Sequence, residues 1–319
     1  MEVEELDFAH ASEDDRHGLH HVVSAWVAEG DTDRDPPPYE ACVIRWTSRD
    51  ELGFGPARFV VARDGGKIVG HGQVNLSEAE ANAHLALATV VVHPHHRRRG
   101  IGTALLRAVP PLLDGRTVVE SWSVIKGNPG EQFAAARGFR VVTTMTRQRL
   151  KITELPEAGE VPAGYDLVTW KGAAPEEFVA AYVDGLNAIA DAPFGETTLD
   201  DAHRTVESIR EDEAAAVADR WVVLLLHGNE PAGVTVVERN PVVPTIAEQL
   251  HTVVLPAHRG KALGKLIKAR MLHELDGVEQ IFTRTSSDNE HMLRVNHSLG
   301  YTDQYTYMAV QAKAADLRP

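Results

Sequence analysis

The amino-acid sequence predicts two tandem mixed α/β domains, each built on a mostly antiparallel sheet with flanking helices. Three observations carry that expectation. A segment occurs twice: Val90-Val91-Val92-His93-Pro94-His95-His96-Arg97-Arg98-Arg99-Gly100-Ile101-Gly102 returns as Thr252-Val253-Val254-Leu255-Pro256-Ala257-His258-Arg259-Gly260-Lys261-Ala262-Leu263-Gly264 after a shift of 162 residues. The same shift relates Phe59-Val60-Val61 to Trp221-Val222-Val223, Gly66 to Gly228, and Gly138-Phe139 to Gly300-Tyr301, with Asn128 and Asn289 one residue out of step. A domain-sized period signals a duplicated domain, not a solenoid. Finally, 319 residues suit about two domains of ordinary size.

The elements follow in the same order in each half. In the first, Leu19, Val22, Val23, Trp26 and Val27 fall on one face of a helix over Asp14–Gly30. A loop with three prolines, Pro36–Pro38, comes next. Arg58–Arg63 and Lys67–Val74 read as a hairpin turning at Asp64-Gly65-Gly66. His84–Val92 is a long apolar strand, Gly100–Leu113 a helix that starts inside the glycine turn, and Thr117–Val124 a strand. Gly130–Arg137 is a short helix stopped by Gly138, and Arg140–Leu150 is the last strand. The second half gives helices over Glu176–Leu186 and Leu199–Ala216 and a hairpin of Trp221–Leu226 with Ala232–Glu238. The strand Glu248–Val254, helix Ala262–Leu275, strand Gln280–Thr285, helix His291–Leu299 and strand Thr302–Gln311 complete it. Pro156, Gly159, Pro162 and Gly164 punctuate a charged stretch, which places one domain at residues 1–152, a linker at 153–163 and a second domain at 164–319.

Composition narrows the function classes. A formal net charge of −14 argues against nucleic acid or an anionic membrane as the partner and suits a cationic acceptor. The single cysteine, Cys42, excludes internal disulfides and cysteine-based metal clusters. A reducing, cytoplasmic compartment is therefore expected, and Met1–Ala11 is acidic and lacks the basic start and apolar run of a signal peptide. No apolar run approaches the roughly 18 residues of a membrane span. His93, His95 and His96 raise a metal reading, but nothing else in the sequence completes a ligand set, so no metal is expected.

The doubled segment carries the chemistry. Free N–H groups in a helix's first turn hold a partial positive charge and bind phosphate. Gly100 and Gly102 let the backbone approach an anion, and Arg97, Arg98 and Arg99 add charge suited to a pyrophosphate. The pattern Val90-x-Val92-x-Pro94-x-x-Arg97-x-x-Gly100-x-Gly102 resembles the acetyl-CoA-binding signature of the GNAT acetyltransferase superfamily, and Asn128 with Gly138-Phe139 resembles its later Asn…Gly-Phe segment. The second half resembles it through Arg259-x-x-Ala262-x-Gly264 and Asn289…Gly300-Tyr301, with Ala262 in place of the middle glycine. Nearly the whole chain therefore resembles a tandem GNAT.

The resemblance implies acetyl-CoA as cosubstrate and a small-molecule amine as acceptor; a monomer or homodimer is expected. It implies a central strand that splays from its neighbour at a bulge, with the N–H of Val92 or Val254 as oxyanion donor. Cofactor contacts are expected at Val90, Val92, Arg97, Arg98, Arg99, Gly100, Ile101, Gly102, Thr103 and Asn128 in the first half. In the second they are expected at Val254, Arg259, Gly260, Lys261, Gly264, Asn289 and Asn296. Direct attack by an amine needs a base and an acid. The family's usual base position holds Glu248 in the second half and Ala86 in the first, where Glu120 on the next strand is the alternative. The usual acid tyrosine is replaced by Ala134 and Asn296. Three readings follow: an acetyltransferase, one with a single working half, or a non-catalytic acetyl-CoA-binding protein. Segments Gly30–Arg45 and Asp191–Glu213 are expected to shape the acceptor site.

Overall fold

A computed structural model describes residues 1–30, 35–49, 52–191, 195–200 and 203–317. Parts of both acceptor-shaping segments, 31–34, 192–194 and 201–202, lie outside the described residues. The protein divides into two compact units. The first comprises residues 1–144, 195–202 and 307–319, and the second 145–194 and 203–306. They interleave along the chain, unlike the contiguous division at Lys151–Gly164 that the sequence suggests.

The first unit's sheet begins with β1 (Glu2–Leu6), β2 (Arg58–Asp64), β3 (Lys67–Leu76), β4 (Leu85–Val92) and β5 (Val118–Ile125), adjacent in that order. Its next strand is not the following one in sequence. Val118–Ile125 pairs antiparallel with Tyr307–Lys313, from the last strand of the chain. Helices α1 (Glu13–Gly30) and α2 (Tyr39–Thr47) cover one face, with Leu19, Val22, Cys42 and Trp46 packed on Phe59, Val61 and Val91. Helix α3 (Ile101–Ala108) covers the other, where Ile101 and Leu105 meet Val60, Ala86, Ala88 and Val119. The helix expected over Gly100–Leu113 breaks at Val109, because Pro110 and Pro111 cannot continue it and Pro110–Leu113 tightens into 3₁₀ geometry. Helix α4 (Pro129–Ala135) ends one turn before Gly138, which takes φ +75° as a stop residue does.

The second unit repeats the plan. Its sheet runs from β6 (Arg140–Lys151), through residues 145–151, to β11 (Gln280–Ser286), β10 (Ile246–Val254), β9 (Glu230–Arg239), β8 (Asp219–His227) and β7 (Tyr165–Lys171). Helices α5 (Val179–Asn187) and α6 (Val206–Ala215) cover one face, and α7 (Leu263–Glu274) covers the other. Helix α8 (Glu290–Ser298) leads to β12 (Thr302–Lys313). The helix expected from Leu199 starts only at Val206, where Thr205 and Ser208 form a capping box; Leu199 and Asp200 are not helical. Strands β1 and β7 and helix α2 were not expected from the sequence. β1 and β7 alternate charged and apolar residues too briefly to stand out.

Each unit is thus completed by a strand distant in sequence: residues 307–313 beside β5, and residues 145–151 beside β11. A fragment of residues 1–152 leaves the β5 edge unpaired, and unpaired edges invite association. The fragment is expected to aggregate or dimerise on its own and to become soluble when co-expressed with 153–319. Size-exclusion chromatography with thermal denaturation checks this; a cooperative monomer of 1–152 would show that its own β6 can take the vacant place.

Candidate active site

In both units the central strand is paired on one side throughout and on the other side only at its start. β4 runs antiparallel to β3 from Leu76↔Ala86 to Gly70↔Val92, but parallel to β5 only at Leu85, Ala86 and Leu87. β10 runs antiparallel to β9 and parallel to β11 only from Ile246 to Gln249. Beyond those rungs the strands part.

The direction of the freed N–H groups follows from the ladder. His93 N–H donates to Val69 O at 2.9 Å, and Leu255 N–H donates to Ala232 O at 3.0 Å. N–H groups alternate sides along an antiparallel strand. The N–H of Val92 and of Val254 therefore points away from β3 or β9, into the opening. Opposite these residues sit Gly70 and Gly233, where an added Cβ would lie 2.9 Å from Val91 O and 3.0 Å from Val253 O. Only glycine lets the strands approach so closely there.

The expected bulge is present in one unit only. In the second, the register shifts between Gln249 and His251, so Leu250 is the extra residue. In the first, β4 keeps an unbroken register with β3, and the splay arises without a bulge.

Each central strand leads into one 3₁₀ turn, Pro94–His96 or Pro256–His258, and then the helix start. The two turns have one backbone shape. Positive φ occurs at Arg98 (63°) and Gly100 (80°) in the first, and at Gly260 (79°) and Ala262 (58°) in the second. Each copy holds one glycine and one side chain in the left-handed region, in opposite order. The side chain costs about 1 kcal/mol in either copy.

The guanidinium of the leading arginine folds back on its strand in both: Arg97 Nε donates to Val92 O at 3.2 Å and Arg259 Nε to Val254 O at 3.0 Å. Arg97 also pairs with Glu29 at 2.6 Å. Arg99 lies 3.7 Å from Asp64, and Lys261 donates to the Tyr165 hydroxyl at 2.9 Å. Ala104 N–H is bonded to Gly100 O, so the N–H groups of Ile101, Gly102 and Thr103 precede the helical ladder and form its exposed positive end. The Ile101 side chain itself is in the core.

The second glycine differs between copies. A Cβ on Gly102 would lie 3.1 Å from the Phe133 ring, whereas one on Gly264 would meet only Val254 at an ordinary 3.6 Å. Arg137 stacks on the same ring and donates to the Thr103 hydroxyl. Asn128 and Asn289 are the residues before α4 and α8, and Asn289 accepts the Met292 N–H at 3.1 Å as a cap. Val90 faces the α3 core beside the opening.

The carboxylates separate clearly. Glu120 is fully buried and accepts from the Thr197 hydroxyl at 2.8 Å, Thr198 N–H at 3.2 Å, the Gln311 amide at 2.8 Å and the Trp122 indole at 2.9 Å. A carboxylate has about four acceptor sites, and here four donors fill them. Glu120 is therefore corrected from a candidate base to an anchor for residues 195–200. That segment is also tied to Val142 O through Glu196 N–H, and to Asn82 through Asp200.

Glu248, in contrast, is 30% exposed beside the point where β10 and β11 part. Arg147 grips both its oxygens, and Arg284 lies 3.8 Å away. Asn296, expected at the cofactor, is fully buried, with its amide donating to Gln148 at 2.7 Å and Thr285 at 3.2 Å.

Near the first turn His93 stacks on His21 at 5.0 Å, and its pKa is lowered by burial and by the neighbouring imidazoles. Among the described residues no group of three or more His, Cys, Asp or Glu side chains is placed to hold a metal ion.

A polar group that the sequence reading missed lies under β10. Lys268 of α7 is buried, donates to Gln249 at 3.1 Å, and has its pKa pushed down to about 7 by loss of hydration. Lysine at that position of an amphipathic helix reads as a solvated charge, and the only sequence signal was Leu106 at the equivalent place in the first repeat.

These features define a class: a mixed α/β fold whose central strand parts from its neighbour and leads through a basic turn into a helix start. Residues 20–139 match the family model described as the Acetyltransferase (GNAT) family. The chain belongs to that family. It is 30% identical to a mycothiol acetyltransferase of Thermomonospora curvata over 79% of its own length and 81% of that protein. It is also 30% identical to one of Nocardia farcinica over 82% and 84%. Among solved structures, a tandem GNAT protein from the clavulanic acid biosynthesis pathway superposes with a TM-score of 0.77, at 26% identity, over 98% of this chain and 99% of that one. A GCN5-related N-acetyltransferase from Sphaerobacter thermophilus shares the fold, with a TM-score of 0.73 at 16% identity over 100% and 96% of the two chains.

Lys268 makes stability pH-dependent in a defined direction. Its ordinary value is 10.5 and its folded value about 7, so between these limits the unfolded chain holds a proton that the folded chain does not. Stability from this group therefore rises as pH increases from about 7 to 10.5. Denaturant unfolding across this range is expected to show the rise in the native protein and a smaller one in Lys268→Met.

Proposed function

We propose that the protein transfers the acetyl group of acetyl-CoA to the amine of a small molecule, and that the second unit performs the transfer. The observation that carries the reading is the pair of splayed central strands, each ending on an inward-facing N–H and leading directly into a helix start. Nothing in this arrangement is needed for a stable sheet, and leaving a ladder open forgoes hydrogen bonds. It suits a thioester whose carbonyl oxygen gains charge during attack.

In each unit, the helix start and the basic turn would hold the pyrophosphate, Arg97 to Thr103 in the first and Arg259 to Gly264 in the second. Acetyl-CoA supplies an activated acyl group there. The Val254 N–H stabilises the developing oxyanion, and Glu248 receives the acceptor's ammonium and its proton, held in place by Arg147. In the first unit the corresponding part of the sheet carries Glu120 with its acceptor sites already filled by Thr197, Thr198, Gln311 and Trp122, so that unit is read as cofactor-binding and not catalytic. The acceptor class is read from the mycothiol acetyltransferases to which the chain is similar, together with the net charge of −14.

One observation favours a non-catalytic reading: neither Ala134 nor the buried Asn296 can protonate a departing thiolate. Thiol release from acetyl-CoA decides the matter, measured with a panel of amines that includes the acceptor of the mycothiol acetyltransferases. Tight binding of acetyl-CoA without release for any amine would establish the non-catalytic reading.

Two substitutions assign the roles. Val254→Pro deletes one N–H on the open side of the strand, where the ladder does not use it, and is expected to lower kcat by about 10²–10³-fold. Val92→Pro is expected to leave kcat unchanged. Glu248→Gln is expected to lower kcat by about 10²–10⁴-fold with little change in KM for acetyl-CoA. Full activity in Glu248→Gln would remove the base from the scheme.

A further inference from the structure

The bulge in β10 leaves backbone carbonyls out of register, and a buried chain of side chains takes them up. Gln249 Nε2 donates toward Val236 O at 3.2 Å and His251 O at 3.3 Å, and to the Thr235 hydroxyl at 2.6 Å. That hydroxyl donates to His251 O at 3.0 Å and lies 2.9 Å from the Thr252 hydroxyl. The Thr283 hydroxyl donates to Gln249 O at 3.2 Å, at the last rung of the parallel ladder. Lys268 Nζ completes the chain on Gln249 Oε1. Its ammonium also faces the Tyr301 ring at 5.0 Å. Thr235, Gln249 and Lys268 are all buried.

The duplication supplies an internal control. The pair Leu85↔Val118 matches Ile246↔Gln280, so ahead of the bulge the shift is 161 and Gln249 corresponds to Ala88, while Lys268, at 162, corresponds to Leu106. Opposite Val90, where the second unit pairs Thr252 with Thr235, the first has Gly72. The unit without the polar chain is the unit whose central strand has no bulge. Burying an ammonium costs several kcal/mol, and leucine at the same place is compatible with the fold, as the first unit shows. Stability alone does not account for Lys268.

Lys268 is also one turn into the helix whose start forms the anion-binding turn. It is the link in the chain that joins this helix to the bulge.

We propose that Lys268, acting through Gln249 and Thr235, is a positioning residue that locks the bulge of the second unit's central strand and so fixes the Val254 N–H relative to the helix start. The inference rests on the transferase reading for its kinetic consequence but not for its structural one. Lys268 does not touch the reacting atoms in this scheme; it sets where the strand end points.

Lys268→Met keeps the length of the side chain and removes its donor. Amide hydrogen exchange over residues 250–254 is expected to accelerate by tenfold or more, with Tm equal to or above that of the native protein. In the transfer assay kcat is expected to fall at least tenfold, with KM for acetyl-CoA within twofold. A merely structural role would lower Tm and leave the kcat-to-KM split unmoved. Exchange unchanged within twofold overturns the proposal whatever the kinetics show. If the native protein turns over no amine, the functional reading fails, and exchange alone decides the positioning role. Should Lys268→Met not fold, Thr235→Val, which removes the hydroxyl from His251 O, carries the same expectations for exchange and kcat.

Discussion

The parallel ladder that stops early is the constraint on which the site depends. β4 and β5 share rungs only from Leu85 to Leu87, and β10 and β11 only from Ile246 to Gln249. Past the last rung lie the inward N–H of Val92 or Val254 and the basic turn. The strands can stay apart because other contacts hold them: the full antiparallel ladder with β3 or β9 on one side, and the close approach at Gly70 and Gly233. The arginine that folds back onto Val92 O or Val254 O then joins the strand end to the basic turn in both copies. A sheet that zipped up further would gain hydrogen bonds and lose the inward N–H.

The two copies show what duplication preserves and what it releases. Backbone shape at the turn is preserved to the level of which residues take positive φ, even though the glycine has moved from the second such position to the first. The environment of the central strand is released. One copy has Ala88, Leu106 and an unbroken strand, the other a glutamine, a lysine and a bulge. One has a carboxylate sealed by four donors, the other a carboxylate gripped by arginine at the mouth of the opening. Shared backbone with divergent side chains is the pattern expected when the fold constrains the turn in both halves and leaves the residues around each central strand free to differ.

Much of this was legible in the sequence because it is local. A strand running into Pro-x-x-Arg-x-x-Gly-x-Gly identifies itself through short-range periodicity and glycine placement, and Val90 to Thr103 and Val254 to Gly264 fall where that pattern puts them. The non-local features were not legible. Glu120 reads as an available carboxylate because its partners, Thr197, Thr198 and Gln311, are far away in the chain. Lys268 reads as a surface charge because its acceptor, Gln249, lies on a different element. The strand beside β5 could not be read either, since the adjacent candidate in sequence, Arg140–Lys151, is an equally good strand and differs only in which edge it joins.

That choice of edge has a consequence for how the protein is made. Val118–Ile125 waits for Tyr307–Lys313, so 188 residues must be synthesised between the end of one partner and the end of the other. At ribosomal rates of about 5–20 residues per second, that delay is about 10–40 s. For that time the nascent first unit carries an open strand edge, which is a template for wrong pairings. Long-range pairing of this kind also folds slowly once complete. The interleaved chain therefore ties the birth of the first unit to the completion of the second, and a translation product cut before Tyr307 would leave the first unit without its closing strand.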